Sequence, residues 1–393
     1  MAMRLLNIRY TIGAAAVLLL SFTLSGCGTT SMETVPTPTE VTEPTATQVS
    51  PTATSTLVST IAVTPTASPE PSPSATPEPT AAPTATPYPG HRYGVVVSRQ
   101  NDPAIQQTFL DELGVDYFLD YYTNVQDLPV GYEKVLYIPE VPGPSREEIE
   151  QTAADAPGSV WYIVGEPNGR GTSASAIVPD LHDLYTWIKE ADPTAKITSP
   201  SILNWDYTCG DTCGGFQSGH EWVEEFRLAY LTQYGTEPPV DIWAIDSFPI
   251  YWDRSEFPTT DVEIVFDQVT DMRDYLSAIP EQADKPIWIT ETGLHWGWSD
   301  WITGQPGCNS PSPAGVYQTE AVIEYLERLY TWIEANSESL NVPVSFLYAT
   351  YRDIESCSAD WYAGLRLFDS PDLGAELTEV GEFFRDWIRS ARE

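Results

Sequence analysis

A (β/α)8 TIM barrel is the α/β fold that the sequence predicts for residues 91–393, behind a signal peptide at 1–27 and a disordered linker at 28–90. Three observations predict it. Eight short apolar segments recur along the last roughly 300 residues, amphipathic stretches lie between most of them, and no second linker interrupts the run. Near-continuous apolar strands alternating with helices imply a parallel sheet covered on both faces, and eight such units fit one closed barrel. A doubly wound open sheet is the rival. No glycine-rich phosphate loop of the Rossmann or Walker type follows the first strand to favour it.

The first element is not part of the fold. Arg4 and Arg9 supply a positive start, an apolar stretch runs from Ile12 to Leu24, and small residues follow. That is the pattern of an export signal. It ends in Leu24-Ser25-Gly26-Cys27, which resembles the bacterial lipobox and implies lipidation of Cys27. An uncleaved membrane anchor is the alternative, although the apolar run is short for a bilayer span. Residues 31–90 are dominated by Pro, Thr, Ser and Ala, with five Glu and no Lys or Arg. Such a segment has too little apolar surface to repay the entropy of ordering, and its prolines keep it extended. It reads as a stalk.

The barrel strands are expected at Tyr93–Ser98, Tyr117–Asp120, Val135–Pro139, Val160–Gly165, Lys196–Ser199, Ile242–Ser247, Ile287–Thr290 and Ser345–Tyr348. Helical spacing of apolar residues predicts helices from Pro103 to Leu113, Ser145 to Ala154, Ile177 to Ala191, Glu221 to Tyr234, Val262 to Ala278 and Tyr317 to Ala335.

The formal net charge is -37, from 19 Lys+Arg against 56 Asp+Glu. So negative a surface repels phosphate backbones and excludes nucleic acid as a partner. It suits a neutral substrate or a cationic one, and does not choose between them.

Chemistry in such a barrel belongs at the C-terminal ends of the strands. The fourth strand runs into Gly165-Glu166-Pro167-Asn168, and the seventh into Thr290-Glu291-Thr292-Gly293. Two carboxylates meeting across a barrel mouth are what glycoside hydrolysis requires: one protonates the leaving oxygen, the other attacks the anomeric carbon or activates water. Other strand ends are polar and aromatic. Asp120, Tyr121 and Tyr122 follow the second, Asn204 and Trp205 the fifth, and Asp246 and Tyr251 the sixth. His295, Trp296 and Trp298 follow the seventh, and Tyr348 and Arg352 the eighth. The substrate-binding candidates drawn from these are Asn168, Asp120, Tyr122, Asn204, Trp205, Tyr251, His295, Trp296, Trp298, Tyr348 and Arg352. Flat aromatic faces pack against the C–H faces of sugars, and polar neighbours bind hydroxyls.

The two glutamate motifs resemble clan A of the retaining glycoside hydrolases, where the acid/base Glu precedes a Pro at the end of strand four and the nucleophile Glu ends strand seven. The domain resembles in particular the alkali-sensitive linkage protein group of glycosyl hydrolase catalytic cores, which includes β-1,3-glucanases. Xylosidase-like members of the clan are also similar. The resemblance implies Glu166 as acid/base and Glu291 as nucleophile. It also implies an Asn before the acid/base that binds the sugar 2-hydroxyl. This chain has Gly165 there, and Asn168 lies two residues beyond Glu166. The acid must hold its proton near neutral pH, so its pKa should be raised by burial and by the charge of Glu291. The nucleophile must stay ionised, with Tyr251, His295 and Arg352 as candidate donors.

Of the 5 Cys, Cys27 is assigned to lipid and four remain, an even number in an exported protein. Cys209 and Cys213 are expected to form a local disulfide, and Cys308 and Cys357 one between the loops after strands seven and eight. A zinc site from Cys209, Cys213 and His220 is the alternative. No metal or cofactor is needed for the proposed chemistry. The expected protein is a monomeric, lipid-anchored enzyme of the cell envelope, outside the cytoplasm, acting on a polysaccharide or oligosaccharide. Two other classes stay open: a non-catalytic carbohydrate-binding lipoprotein, and a solute-binding lipoprotein.

Overall fold

The computed structural model describes residues 90–97, 102–206, 217–250, 260–294, 319–351 and 366–393. In chain order the described elements are β1 (Arg92–Val96), α1 (Pro103–Leu113), β2 (Tyr117–Leu119), β3 (Glu133–Ile138), α2 (Arg146–Asp155), β4 (Val160–Ile163), α3 (Ala174–Ala191), β5 (Lys196–Ile197) and β6 (Ile202–Leu203). They continue with α4 (Gly219–Tyr234), β7 (Trp243–Ser247), α5 (Glu263–Ser277), β8 (Ile287–Thr292), α6 (Thr319–Asn336), β9 (Val344–Tyr348) and α7 (Glu379–Ala391).

Local signals explain where the helices begin and end. Asp102 caps α1, its carboxylate accepting from the N–H groups of Ala104 and Ile105, with Pro103 at the first helical position. Gly114 stops the same helix with φ 70°, a left-handed conformation that glycine adopts without a Cβ penalty. Ser145 and Glu148 form a reciprocal capping box on α2.

Every strand pair is parallel, in the order β5-β4-β3-β2-β1-β9-β8-β7-β6. Residues 196–203 join the two ends. β5 pairs with β4, β6 pairs with β7, and the stretch between them bonds to both sides. Thr198 N–H donates to Trp161 and Ser199 N–H to Ile242, while Ser201 N–H donates to Val164. β5 and β6 are therefore two halves of one barrel strand. Pro200 separates them, because proline has no N–H to offer the ladder. The ring is closed, as the sequence predicts for a (β/α)8 barrel. All eight expected strands fall on it and all six expected helices form. α7 was not anticipated, although Val380, Phe384 and Ile388 recur every fourth residue and are buried.

The strands alternate between two cores. Tyr93, Val95, Trp161, Ile163, Trp243, Ile245, Ile287 and Ile289 face the helices. Val96, Tyr117, Val135, Tyr137, Tyr162, Trp288, Phe346 and Tyr348 fill the inside of the ring. Gly94 makes room there: a Cβ on it would come within 2.5 Å of the Phe346 ring. Among the described residues no helix is long and apolar enough to cross a membrane.

Candidate active site

Glu166 follows β4, Asp246 lies in β7 and Glu291 near the end of β8, so all three stand at one rim. One oxygen from each carboxylate lies within 4.8 Å of the others. Strand alternation alone does not put them there. Trp288 and Thr290 point inward on β8, so Glu291 would point out. A register shift relieves this: Ile245 pairs with Ile289, but Asp246 pairs with Glu291, leaving Thr290 as an extra residue. Such a bulge re-aims the side chain after it. Near Glu166 the backbone turns instead, with φ 54° at Val164 and φ 53° at Glu166. Left-handed backbone is unfavourable for a β-branched valine and persists only where its surroundings enforce it. Tyr121 (φ 61°) and Asn204 (φ 50°) are left-handed as well, also at strand ends on this rim.

A cavity of about 360 Å³ opens over the carboxylates, lined by Tyr121, Tyr137, Tyr162, Gly165, Glu166, Arg170, Glu291 and Tyr348. The Tyr121 hydroxyl donates to Glu291 Oε1. Thr290 Oγ1 donates to Asp246 Oδ1 at 2.7 Å and the Tyr162 hydroxyl to Asp246 Oδ2 at 3.0 Å. Ser201 Oγ lies 2.8 Å from Thr290 Oγ1. Arg170 is hydrogen-bonded to the Tyr137 hydroxyl and acts on Glu166 through its charge. The three tyrosines form one wall, the Tyr137 ring centroid lying 5.2 Å from those of both Tyr121 and Tyr162.

Burial pushes the Glu166 carboxyl above the usual glutamate range, with Arg170 pulling the other way. Asp246 is pushed up to about 7, by burial first and the charge of Glu166 second, while hydrogen bonds from Thr290, Ser201 and Tyr162 hold it back. Burial also raises the Tyr121 and Tyr162 hydroxyls well above their ordinary range, so both are donors at neutral pH. Among the described residues the same carboxylate trio is the group spaced to hold a cation.

Of the residues the sequence singles out, Glu166, Glu291 and Tyr348 are brought together in this cavity. Asp120 is not. It points into the helical shell, buried, paired with Lys134 Nζ at 2.8 Å and accepting from Gln106 Nε2 at 3.1 Å. Tyr122 lines a smaller cavity beside that ion pair. Asn168 is buried with its amide bonded to the backbone of Leu203 and Gln217. Asn204 clamps the N–H and carbonyl of Phe248. Trp205 is buried against His220, ring centroids 4.9 Å apart. Tyr251, His295, Trp296, Trp298, Arg352 and the cysteines Cys27, Cys209, Cys213, Cys308 and Cys357 lie outside the described residues.

Tyr121, Tyr137, Tyr162, Arg170 and Thr290 were not among the candidates, nor was Asp246 for all its mention at a strand end. Period-two alternation signals the tyrosines: Tyr121 shares its face with Tyr117 and Leu119, Tyr137 with Val135, and Tyr162 with Val160. Gly165 has a local reason too. A Cβ there would lie 3.0 Å from the Tyr162 hydroxyl and 3.4 Å from that of Tyr137. The space an asparagine side chain would need is crowded by those two hydroxyls.

No known family model matches the chain, and no curated protein matches it. Solved structures do share its fold. An exo-β-1,3-glucanase of glycoside hydrolase family 128 from Aureobasidium namibiae aligns with a TM-score of 0.50 at 12% identity, covering 75% of this chain and 96% of that one. An endo-β-1,3-glucanase of the same family from Lentinula edodes gives 0.47 at 13% identity, covering 75% and 98%. Another from Amycolatopsis mediterranei, in complex with laminaritriose, gives 0.44 at 18%, covering 76% and 99%. At these identities the likeness is one of fold: the chain is a (β/α)8 barrel with a cluster of carboxylates in its mouth.

Proposed function

We propose that this protein is a retaining glycoside hydrolase acting on a β-glucan, with Glu166 as acid/base and Glu291 as nucleophile. The observation that carries the reading is that these two glutamates, 125 residues apart in sequence by their numbering (291 − 166), line one cavity with oxygens within 4.8 Å. Retaining enzymes hold their carboxyls about 5–5.5 Å apart, whereas inverting enzymes need roughly 6.5–9.5 Å to admit a water. The close approach of one oxygen from each carboxylate supports the first geometry.

In this reading Glu291 Oε attacks the anomeric carbon as the bond to the leaving sugar oxygen breaks, and Glu166 gives that oxygen its proton. A glycosyl ester on Glu291 results. Glu166, now a base, takes a proton from water, whose oxygen attacks the anomeric carbon and frees Glu291. Burial favours the protonated form of Glu166 that the first step needs. Tyr121 orients the nucleophile by its hydrogen bond. Tyr348, Tyr137 and Tyr162 offer ring surface and hydroxyls to a sugar in the cavity.

A neutral glucan is compatible with a net charge of -37. A β-1,3-linkage is the first to test, being the one named for the Aureobasidium structure of like fold. We place the enzyme outside the cytoplasm as a lipid-anchored monomer, held through Cys27, with Cys209 bridged to Cys213 and Cys308 to Cys357.

The test is a screen of the protein against β-1,3-glucan, mixed-linkage glucan, xylan and mannan, with the anomeric configuration of the first product read by proton NMR. Retention of the β configuration is expected. Glu291→Gln should abolish turnover, and Glu166→Gln should lower it by roughly 10²–10⁴-fold. Wild-type turnover in either variant rejects the assignment. Because the two carboxylates suffice for these steps, EDTA should leave the rate unchanged, and a rate restored only by added metal would contradict the mechanism.

A further inference from the structure

Three tyrosines form one wall of the cavity, and two of their hydroxyls are committed: Tyr121 donates to Glu291 and Tyr162 to Asp246. Tyr137 stands between them, buried on β3, and differs. Among the described residues the side chain that bonds its hydroxyl is Arg170, and a guanidinium has donors only. The Tyr137 oxygen therefore accepts, and its own proton is left to donate. A tyrosine keeps that proton at neutral pH. A positively charged donor on the oxygen polarises the O–H bond and strengthens what it can give. The turn after β4 builds this arrangement. Arg170 N–H donates to the Glu166 carbonyl at 3.1 Å, which folds the chain back so that the arginine lines the cavity. Gly165 leaves the hydroxyl uncovered, because a Cβ there would lie 3.4 Å from it and a longer side chain would compete for the same space.

We infer that Tyr137, polarised by Arg170, is the hydrogen-bond donor to the 2-hydroxyl of the sugar whose anomeric carbon meets Glu291. This rests on the function proposed above. C2 is the hydroxyl-bearing ring carbon next to the anomeric carbon, so a donor in the wall beside both reacting groups meets its hydroxyl first. Tyr137 has that position. Tyr121, its ring neighbour, holds the nucleophile, and Arg170, its hydrogen-bond partner, lies within reach of the charge of Glu166. With its oxygen accepting from Tyr137, the 2-hydroxyl can turn its own proton to the Glu291 carboxylate, and each link of such a chain strengthens the next. Hydrogen bonds to the 2-hydroxyl tighten in the transition state, so this contact acts on rate as well as on binding. Arg170 acts through Tyr137, as a positioning residue.

The probes are 4-nitrophenyl β-laminaribioside and two analogues, lacking either the 2-hydroxyl or the 6-hydroxyl of the glucose that carries the aryl group. The full chain is assayed on each for kcat/KM by release of nitrophenol. The preference for the parent over the 2-deoxy probe should fall by about tenfold or more from wild type to Tyr137→Phe, and the preference over the 6-deoxy probe should stay the same. Arg170→Met should lose part of the 2-hydroxyl preference, and it serves in place of Tyr137→Phe if that variant does not fold. Each preference is a ratio within one protein, so a merely structural effect on stability or overall rate cancels. An unchanged 2-hydroxyl preference in the folded variant overturns the inference, as does a change confined to the 6-hydroxyl. Dissociation constants of the non-hydrolysable 1-thio forms of the same probes, measured by calorimetry, separate this inference from the function it rests on. Binding that loses its 2-hydroxyl preference in Tyr137→Phe, without any wild-type turnover, supports the contact and rejects the glycosidase reading. Turnover with an unchanged preference rejects the contact alone, and a wild type that neither binds nor turns over these probes rejects both.

Discussion

Tyr121 and Tyr122 are adjacent, and the backbone sends them to opposite destinations. Tyr121 turns inward and donates to Glu291, whereas Tyr122 is 46% exposed beside a second cavity. A hydrogen bond to a charged group is worth about 1.5–3 kcal/mol. Tyr121→Phe should therefore lower kcat/KM by roughly 10- to 150-fold, and Tyr122→Phe should leave it near wild type. Steady-state kinetics on the substrate found by the screen decides this, and equal effects at the two positions would remove Tyr121 from the machinery. The pair also marks where the sequence is legible. The two glutamates stand out because each ends an apolar strand and one precedes a proline. The inward tyrosines lie within strands, where alternation identifies them as facing inside but not as lining a cavity instead of filling the core. Asp120 and Asn204 read as strand-end ligands, and the shell and backbone claim them.

The elements divide along the same line. Eight strands and six helices are readable from apolar runs and helical spacing, and α7 carries the same signal in Val380, Phe384 and Ile388 although it was not anticipated. The extra residue at Thr290 is set by pairing with a strand distant in sequence, which no local pattern encodes, whereas the break at Pro200 is written locally in proline's missing N–H. β2 and β3 are tied by another feature that pairing creates. Lys134 and Asp120 are both buried, and their ion pair joins the shell side of these strands to α1 through Gln106. Removing one partner strands the other charge away from water, which costs about 3–5 kcal/mol. Asp120→Ala should lose that much unfolding free energy in urea titration, while Asp120→Asn with Lys134→Met should lose less. A single variant as stable as the wild type would show that the pair is not holding the strands.

For the molecule as a whole, the carboxylate cluster couples stability to pH. The Asp246 carboxyl is raised from the ordinary aspartate range to about 7. A raised acid favours the folded state at low pH, so this contribution is full below about pH 4 and is lost as pH rises through about 7. The net charge of -37 acts in the same direction through self-repulsion, but salt screens it. Melting temperatures across this range in 0.5 M salt should still fall for the wild type, and the fall should be smaller in Asp246→Asn. Parallel curves would mean that the buried acid does not couple to folding.

The two ends of the barrel chain meet on one side of it. Gly90, His91, Arg92, Ala391 and Arg392 share a cleft where the strands begin, whereas Glu166 and Glu291 stand where the strands finish. Both ends of the described barrel chain therefore stand at the base, on the side opposite the carboxylates. A fusion partner joined after Glu393 would then lie clear of the mouth, and under the function proposed above it should leave turnover of a soluble glucan unchanged.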